Sequence, residues 1–201
     1  LELVQLGREA DMRQMGGFHV YEERRQGDAK GKCIRTTWLD DLRWGPNGPF
    51  VRSRLVGQEF NTFVRDDVAA GTPYLFVHRL MLSLAASKPP KGRRQVGLWD
   101  ASVAFFHADQ DEWIHAIPPR GLRREGWVWQ LWKALYGTRR AGQLLQGYVR
   151  EMFHQAAWQS IEVCPCTYYA DELVVTAAIH GDHFIAEGVS KSLDRLDQPL
   201  S

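Results

Sequence analysis

Cysteine is scarce in this chain: three residues in 201, at Cys33, Cys164 and Cys166. Three thiols cannot build the paired framework that staples a small secreted domain, and Cys164-Pro165-Cys166 has no Cys/His pair at zinc spacing beside it. An excess of either charge is lacking too. The 25 Lys/Arg and 24 Asp/Glu leave +1, which excludes a generally basic protein that coats nucleic acid. No apolar run approaches the roughly 18 residues of a membrane span, and no signal peptide opens the chain. Internal repeats and low-complexity tracts are absent. The expectation is an intracellular protein of cytoplasm or nucleus, with reduced thiols and no membrane partner.

What is present is enough apolar material for a core. At 44% hydrophobic residues the chain supports one domain, or a piece of a larger one. It begins without Met, as the interior of a longer product would. Its charge is unevenly placed: residues 88–150 hold eleven Lys/Arg and five Asp/Glu, +6, which leaves −5 elsewhere. A phosphate backbone or a triphosphate would lie against such a basic segment, and a merely solvated surface would look the same.

Residues 1–31 are polar and turn-rich, and read as an N-terminal extension. Cys33 to Leu39 reads as a strand, followed by a turn at Gly45-Pro46-Asn47-Gly48-Pro49 and a second strand from Phe50 to Val56. Thr72-Pro73 supplies a cap and a first helical position, and Phe76, Leu80 and Leu84 share one face of a helix ending near Ser87. Lys88 to Arg94 reads as a basic loop. Gln95 to Phe106 contains a strand, and so does Trp127 to Lys133. Leu145, Val149 and Phe153 mark one face of a helix over 141–159. Tyr168 to Ile179 and Phe184 to Glu187 form a hairpin with Asp182 at its turn. Strands and helices mix without strict alternation, which predicts an α+β fold with antiparallel sheet.

Two acids in apolar surroundings carry the chemistry. Asp100 interrupts Gln95-Val96-Gly97-Leu98-Trp99-Asp100-Ala101-Ser102-Val103-Ala104-Phe105-Phe106, and Asp182 interrupts a second apolar run at His180-Gly181-Asp182-His183. An acid inside an apolar strand is costly unless a cation compensates it. Two such acids on separate strands commonly hold Mg²⁺ against a phosphate. The plainer reading of Asp100 is an acid paired with an arginine or capping a turn.

Four blocks in order resemble the reverse transcriptase domain of Ty1/copia-type retrotransposons. Val51-Arg52-Ser53-Arg54-Leu55-Val56-Gly57-Gln58-Glu59-Phe60 is similar to the family's K-A-R-L-V-A-K-G-F. Trp99-Asp100-Ala101-Ser102-Val103-Ala104-Phe105 is similar to M-D-V-K-T-A-F, and Trp132-Lys133-Ala134-Leu135-Tyr136-Gly137-Thr138-Arg139-Arg140-Ala141 to K-x-L-Y-G-L-K-Q-A. His180-Gly181-Asp182-His183 stands where the family has Y-V-D-D. The match covers roughly residues 35–188.

This resemblance implies fingers over about 32–95 and 108–150 and a partial palm over about 96–107 and 151–201. It implies an RNA-directed DNA polymerase, with an RNA template, a DNA primer and dNTPs as partners. Asp100 and Asp182 would then hold Mg²⁺ or Mn²⁺, with His183 at the position of the third acid. Phe105 would exclude a ribose 2′-hydroxyl, provided that the chain turns between Asp100 and Phe105; otherwise it is core. Arg52, Arg54, Lys133, Tyr136, Gly137, Arg139 and Arg140 would face template or nucleotide, though any single arginine there also reads as a solvated face. Integrase and RNase H segments of a Pol polyprotein would be further partners. The departures are equally specific. Imidazole cannot supply the charge of the second acid, though it ligates softer transition metals. The family's thumb has no counterpart within the 201 residues. A truncated, degenerate polymerase is one expectation, and a non-catalytic nucleic-acid-binding remnant is the alternative. A two-carboxylate hydrolase would need to recruit His107, Asp109, Asp111 and His115.

Overall fold

The computed structural model describes residues 1–60, 70–87, 93–194 and 196. Most of the expected basic loop, 88–92, lies outside them. The architecture is α+β, with two five-stranded sheets in two compact units: Leu1–Ala69 with Phe105–Leu145, and Ala70–Ala104 with Gln146–Ser201.

In the first unit, α1 (Glu2–Gly17) precedes β1 (Tyr21–Arg25), the long hairpin β2 (Lys32–Gly45) and β3 (Gly48–Gln58), then β5 (Ile114–Ile117) and β6 (Trp127–Leu131). The sheet runs β1-β6-β5-β2-β3, antiparallel except for the parallel β2–β5 pair. The expected turn at 45–49 closes the hairpin, where Gly45 pairs with Gly48 and Gly48 takes φ +107°. Residues 1–31 are not an appendage. β1 pairs with β6 along its whole length, and α1 lies on β3. Gly7 allows that approach, since a Cβ there would fall 2.4 Å from the Val51 carbonyl oxygen. Arg8 donates to Asp40 at 2.6 Å, and the buried Asp11 carboxylate accepts the Leu55 N–H at 2.8 Å. A polar helix is held here by specific hydrogen bonds, which composition does not reveal.

In the second unit, α2 (Leu75–Ala86), β4 (Arg94–Asp100), β7 (Gln159–Ile161), β8 (Cys164–Ala170), β9 (Val175–His180), β10 (His183–Val189) and α4 (Ser190–Leu193) belong together; α3 (Ala141–Gln155) contributes its last turns. The sheet is antiparallel throughout, in the order β4-β10-β9-β8-β7. Phe153 anchors its core, with ring centroids 4.9 Å from Trp158 and 4.7 Å from Tyr168. Leu145, Val149 and Phe153 are all buried, as their spacing predicts. The three thiols are free. Among the described residues no helix is long and apolar enough to cross a membrane.

Four expectations need correction. The helix expected from Thr72-Pro73 starts at Leu75, with Tyr74 extended before it and no side-chain cap. Gly71 donates to the Gln146 side chain at 2.7 Å and Pro73 is buried, so tertiary contacts hold these residues extended. Phe76, Leu80 and Leu84 do share a face of α2, but it is the exposed one; Val77 and Met81 pack inward on Cys164 and Ala178. A helix apolar nearly all round offers several rows at the same spacing, and packing chooses among them. Residues 168–179 form two strands rather than one. Asp171 starts a turn in which Val174 takes φ +52° and donates its N–H to the Asp171 carbonyl. Finally, α2 packs on β4, β9 and β10 and so joins the second unit, whereas residues up to 95 were expected with the first.

Candidate metal centre and basic face

The acids Asp100 and Asp182 meet at one end of the second sheet. Asp100 is the last residue of β4, not the middle of an apolar strand, and its side chain is 59% exposed. No burial cost has to be offset there. Opposite it, β9 and β10 are joined by the two-residue loop Gly181-Asp182, with Gly181 at φ +61°. Glycine at the first loop position with positive φ suits the type II′ geometry that matches strand twist. The loop carries Asp182 beyond the strand ends, where its carbonyl accepts the Ala101 N–H at 2.8 Å. That bond ties the end of β4 to the hairpin.

His183 bridges the two acids. Its Nδ1 lies 3.0 Å from Asp182 Oδ1 and its Nε2 lies 3.9 Å from Asp100 Oδ1. One ligand atom from each of Asp100, Asp182 and His183 falls within 4.8 Å of the others. Paired Mg²⁺ ions about 3.5–4 Å apart draw on hard oxygen ligands. Two carboxylates and an imidazole offer fewer hard oxygens than such a pair draws on, so this cluster does not fit a magnesium pair.

Beyond Asp100 the chain leaves the strand. Val103 takes φ +48° and Ala104–His107 forms a 3-10 turn. Phe105 is half-buried in the first unit, edge-on to Tyr136 at 4.6 Å, beside a small cluster of Ala108, Ala134 and Ala141. Tyr136 is also edge-on to Phe106 at 5.8 Å and carries the Arg54 guanidinium over its ring at 5.3 Å. Stacking of this kind orients Arg54 while leaving its charge available to a ligand. Arg52 follows two residues earlier on β3, opposite Asp41.

The remaining basic residues are more strongly committed. Lys133 donates to Asp109 at 2.6 Å, and Arg140 pairs with Asp111 at 2.8 Å and Glu112 at 3.8 Å. Gly137 does permit a close backbone approach, but the approach is to β3: its φ is +79°, and a Cβ would sit 2.1 Å from the Gly57 carbonyl oxygen. Arg139 donates its backbone N–H to Glu59 at 2.9 Å, and Glu59 also pairs with Lys32. Lys32, Cys33, Arg35, Phe60 and Arg139 surround Glu59 in a hollow of about 420 Å³. Burial raises the Cys33 thiol above its ordinary pKa, which disfavours a reactive thiolate.

The residues that a hydrolase would recruit serve other ends. Asp109 and Asp111 form the ion pairs just described, and His107 lies edge-on to Phe18. His115 is buried with its pKa lowered by that burial, so it sits neutral in the core. Lys32, Glu59 and His180 were not singled out from sequence. Glu59 and His180 lay inside the quoted blocks, but Lys32 and the Arg139 N–H give Glu59 its place and pairing with His183 gives His180 its own. The chain matches no protein-family model and no curated protein.

Proposed function

We propose that the chain is a Ty1/copia-type reverse transcriptase domain, an RNA-directed DNA polymerase by descent, in which the third acid of the nucleotidyl-transfer centre has been replaced. The reading rests on one observation above the others: Asp100 and Asp182, about eighty residues apart in sequence, converge with His183 at the end of one sheet. An acid from a strand end and an acid from a hairpin loop make a rigid carboxylate pair, the arrangement needed to present charge at a fixed point.

Left to themselves, two carboxylates this close repel a triphosphate, so phosphoryl chemistry requires a cation that they hold. His183 brings no negative charge to that task. The chain as given should therefore extend a primer far more slowly than His183→Asp, on the order of 10²–10³-fold for one lost charge-stabilising group. Within the first unit, Arg54 stacked on Tyr136 and Arg52 on the same strand offer positive charge to a nucleic-acid backbone, and Phe105 braces the same tyrosine. The partners on this reading are an RNA template with a DNA primer, and dNTPs.

The deciding assay is primer extension on an RNA template with dNTPs and Mg²⁺ or Mn²⁺, run on the chain and on His183→Asp. Extension by His183→Asp that Asp100→Ala abolishes supports the reading. Extension by neither, with duplex binding that ignores Mg²⁺ and falls with salt, favours the non-catalytic nucleic-acid-binding remnant.

A further inference from the structure

We infer that Asp100 and the hairpin tip His180-Gly181-Asp182-His183 form a site for a single transition-metal dication of the zinc type, in place of a magnesium pair. The inference concerns the same end of the sheet but does not depend on polymerase ancestry. Its first support is register. Asp100 on β4 pairs with His183 on β10, and His183 pairs with His180 on β9. Residues directly opposite in antiparallel strands point to the same face, with Cβ atoms about 4.5–5.5 Å apart. Three strands thus lay a carboxylate and two imidazoles in one transverse row. The Gly181-Asp182 loop adds the second carboxylate, held by the Ala101 N–H to the Asp182 carbonyl at 2.8 Å.

The second support is the chemistry of that donor set. Two carboxylates and the His183 imidazole already lie together, with His180 outside that cluster but in the same row. Oxygen with imidazole nitrogen suits zinc, whereas magnesium asks for near-octahedral oxygen and keeps much of its water. Zinc bonds of about 2.0–2.1 Å place neighbouring tetrahedral ligands about 3.3 Å apart. His183 Nδ1 lies 3.0 Å from Asp182 Oδ1 and Nε2 lies 3.9 Å from Asp100 Oδ1. A single ion takes one of these nitrogens, so the ring or one carboxylate must turn to complete the set. The side chains of His183 and Asp100 are 73% and 59% exposed, so they can rotate to offer one atom each. A dication also cancels the repulsion between the two carboxylates.

Calorimetric titration of the full chain with ZnCl₂ and with MgCl₂, without nucleic acid, tests this. One zinc per chain is expected, with magnesium weaker on the order of 100-fold. His183→Ala and His180→Ala should each weaken zinc by about 10–100-fold, and His183→Asp should narrow the gap between the two metals. Circular dichroism checks each variant's fold; should His183→Ala fail to fold, His180→Ala and Asp100→Asn carry the test. Magnesium binding as tight as zinc overturns the inference. So does an absence of zinc binding, or zinc binding untouched by every variant, which would place the metal elsewhere, as on Cys164 and Cys166. Primer extension is not read here, so loss of zinc binding and loss of the polymerase reading are separate results.

Discussion

His183 stands opposite Asp100 across the β4–β10 pair, its Nε2 3.9 Å from the aspartate Oδ1. His183 is thus the residue that connects the two acids. An aspartate at 183 would put three carboxylates at this end of the sheet, and their mutual repulsion would make a bound cation a condition of stability. Adding MgCl₂ should therefore raise the melting temperature of His183→Asp more than that of the chain as given. Equal shifts would count against the site.

Gly181 and Gly137 both adopt positive φ, yet their surroundings differ. Nothing lies within 4 Å of a Cβ built at Gly181, whereas one built at Gly137 would strike the Gly57 carbonyl oxygen. Gly181→Ala should cost backbone strain alone, about 1 kcal/mol. Gly137→Ala adds a backbone clash and should exceed it, at roughly 2–4 kcal/mol. Urea unfolding of the two variants gives the comparison.

Glu187 is fully buried on β10, where it pairs with Arg94 of β4, and Arg94 also donates to the Val174 carbonyl at 3.2 Å. Arg94→Met would strand the carboxylate and should destabilise by about 3–5 kcal/mol. The double variant with Glu187→Leu should recover much of that loss, because replacing both partners removes the unpaired buried charge. A double-mutant cycle in denaturant measures both quantities.

Asp11 has its pKa raised, chiefly by burial, against the opposing Leu55 N–H and the positive charges of Arg54 and Arg52. A raised folded value stabilises the protonated state. The contribution is fully present below the ordinary 3.8 and is lost as pH rises through the folded value. Asp11→Asn keeps an oxygen for Leu55 without the charge. Its stability relative to the parent should rise with pH above 3.8 and then level off. Melting temperatures across pH 3.5 to about 8 would reveal the opposite sign if Asp11 were instead stabilised as a carboxylate.

Much of the local structure was legible because its signals are local. Leu145, Val149 and Phe153 lie four apart, and all three are buried on one face of α3. Gly45 to Pro49 closes the long hairpin, and Gly181-Asp182 closes the short one. The candidate centre was half legible: both acids stood out, but Asp100 lies at a strand end rather than inside it. The basic face was less so, since the acids that occupy Lys133 and Arg140 are contributed by the loop around Asp109 to Glu112.

By itself, the sequence determined periods, turns and the α+β composition, because a helix face or a tight turn is written in residues a few positions apart. Tertiary structure decided that Val77 and Met81, not Phe76 and Leu80, face inward, since neighbouring rows of an apolar helix are equivalent until a sheet covers one. It also decided that Asp100, His183 and His180 form one row. A one-residue slip in either pairing would send His183 to the opposite face, and only long-range packing sets that register.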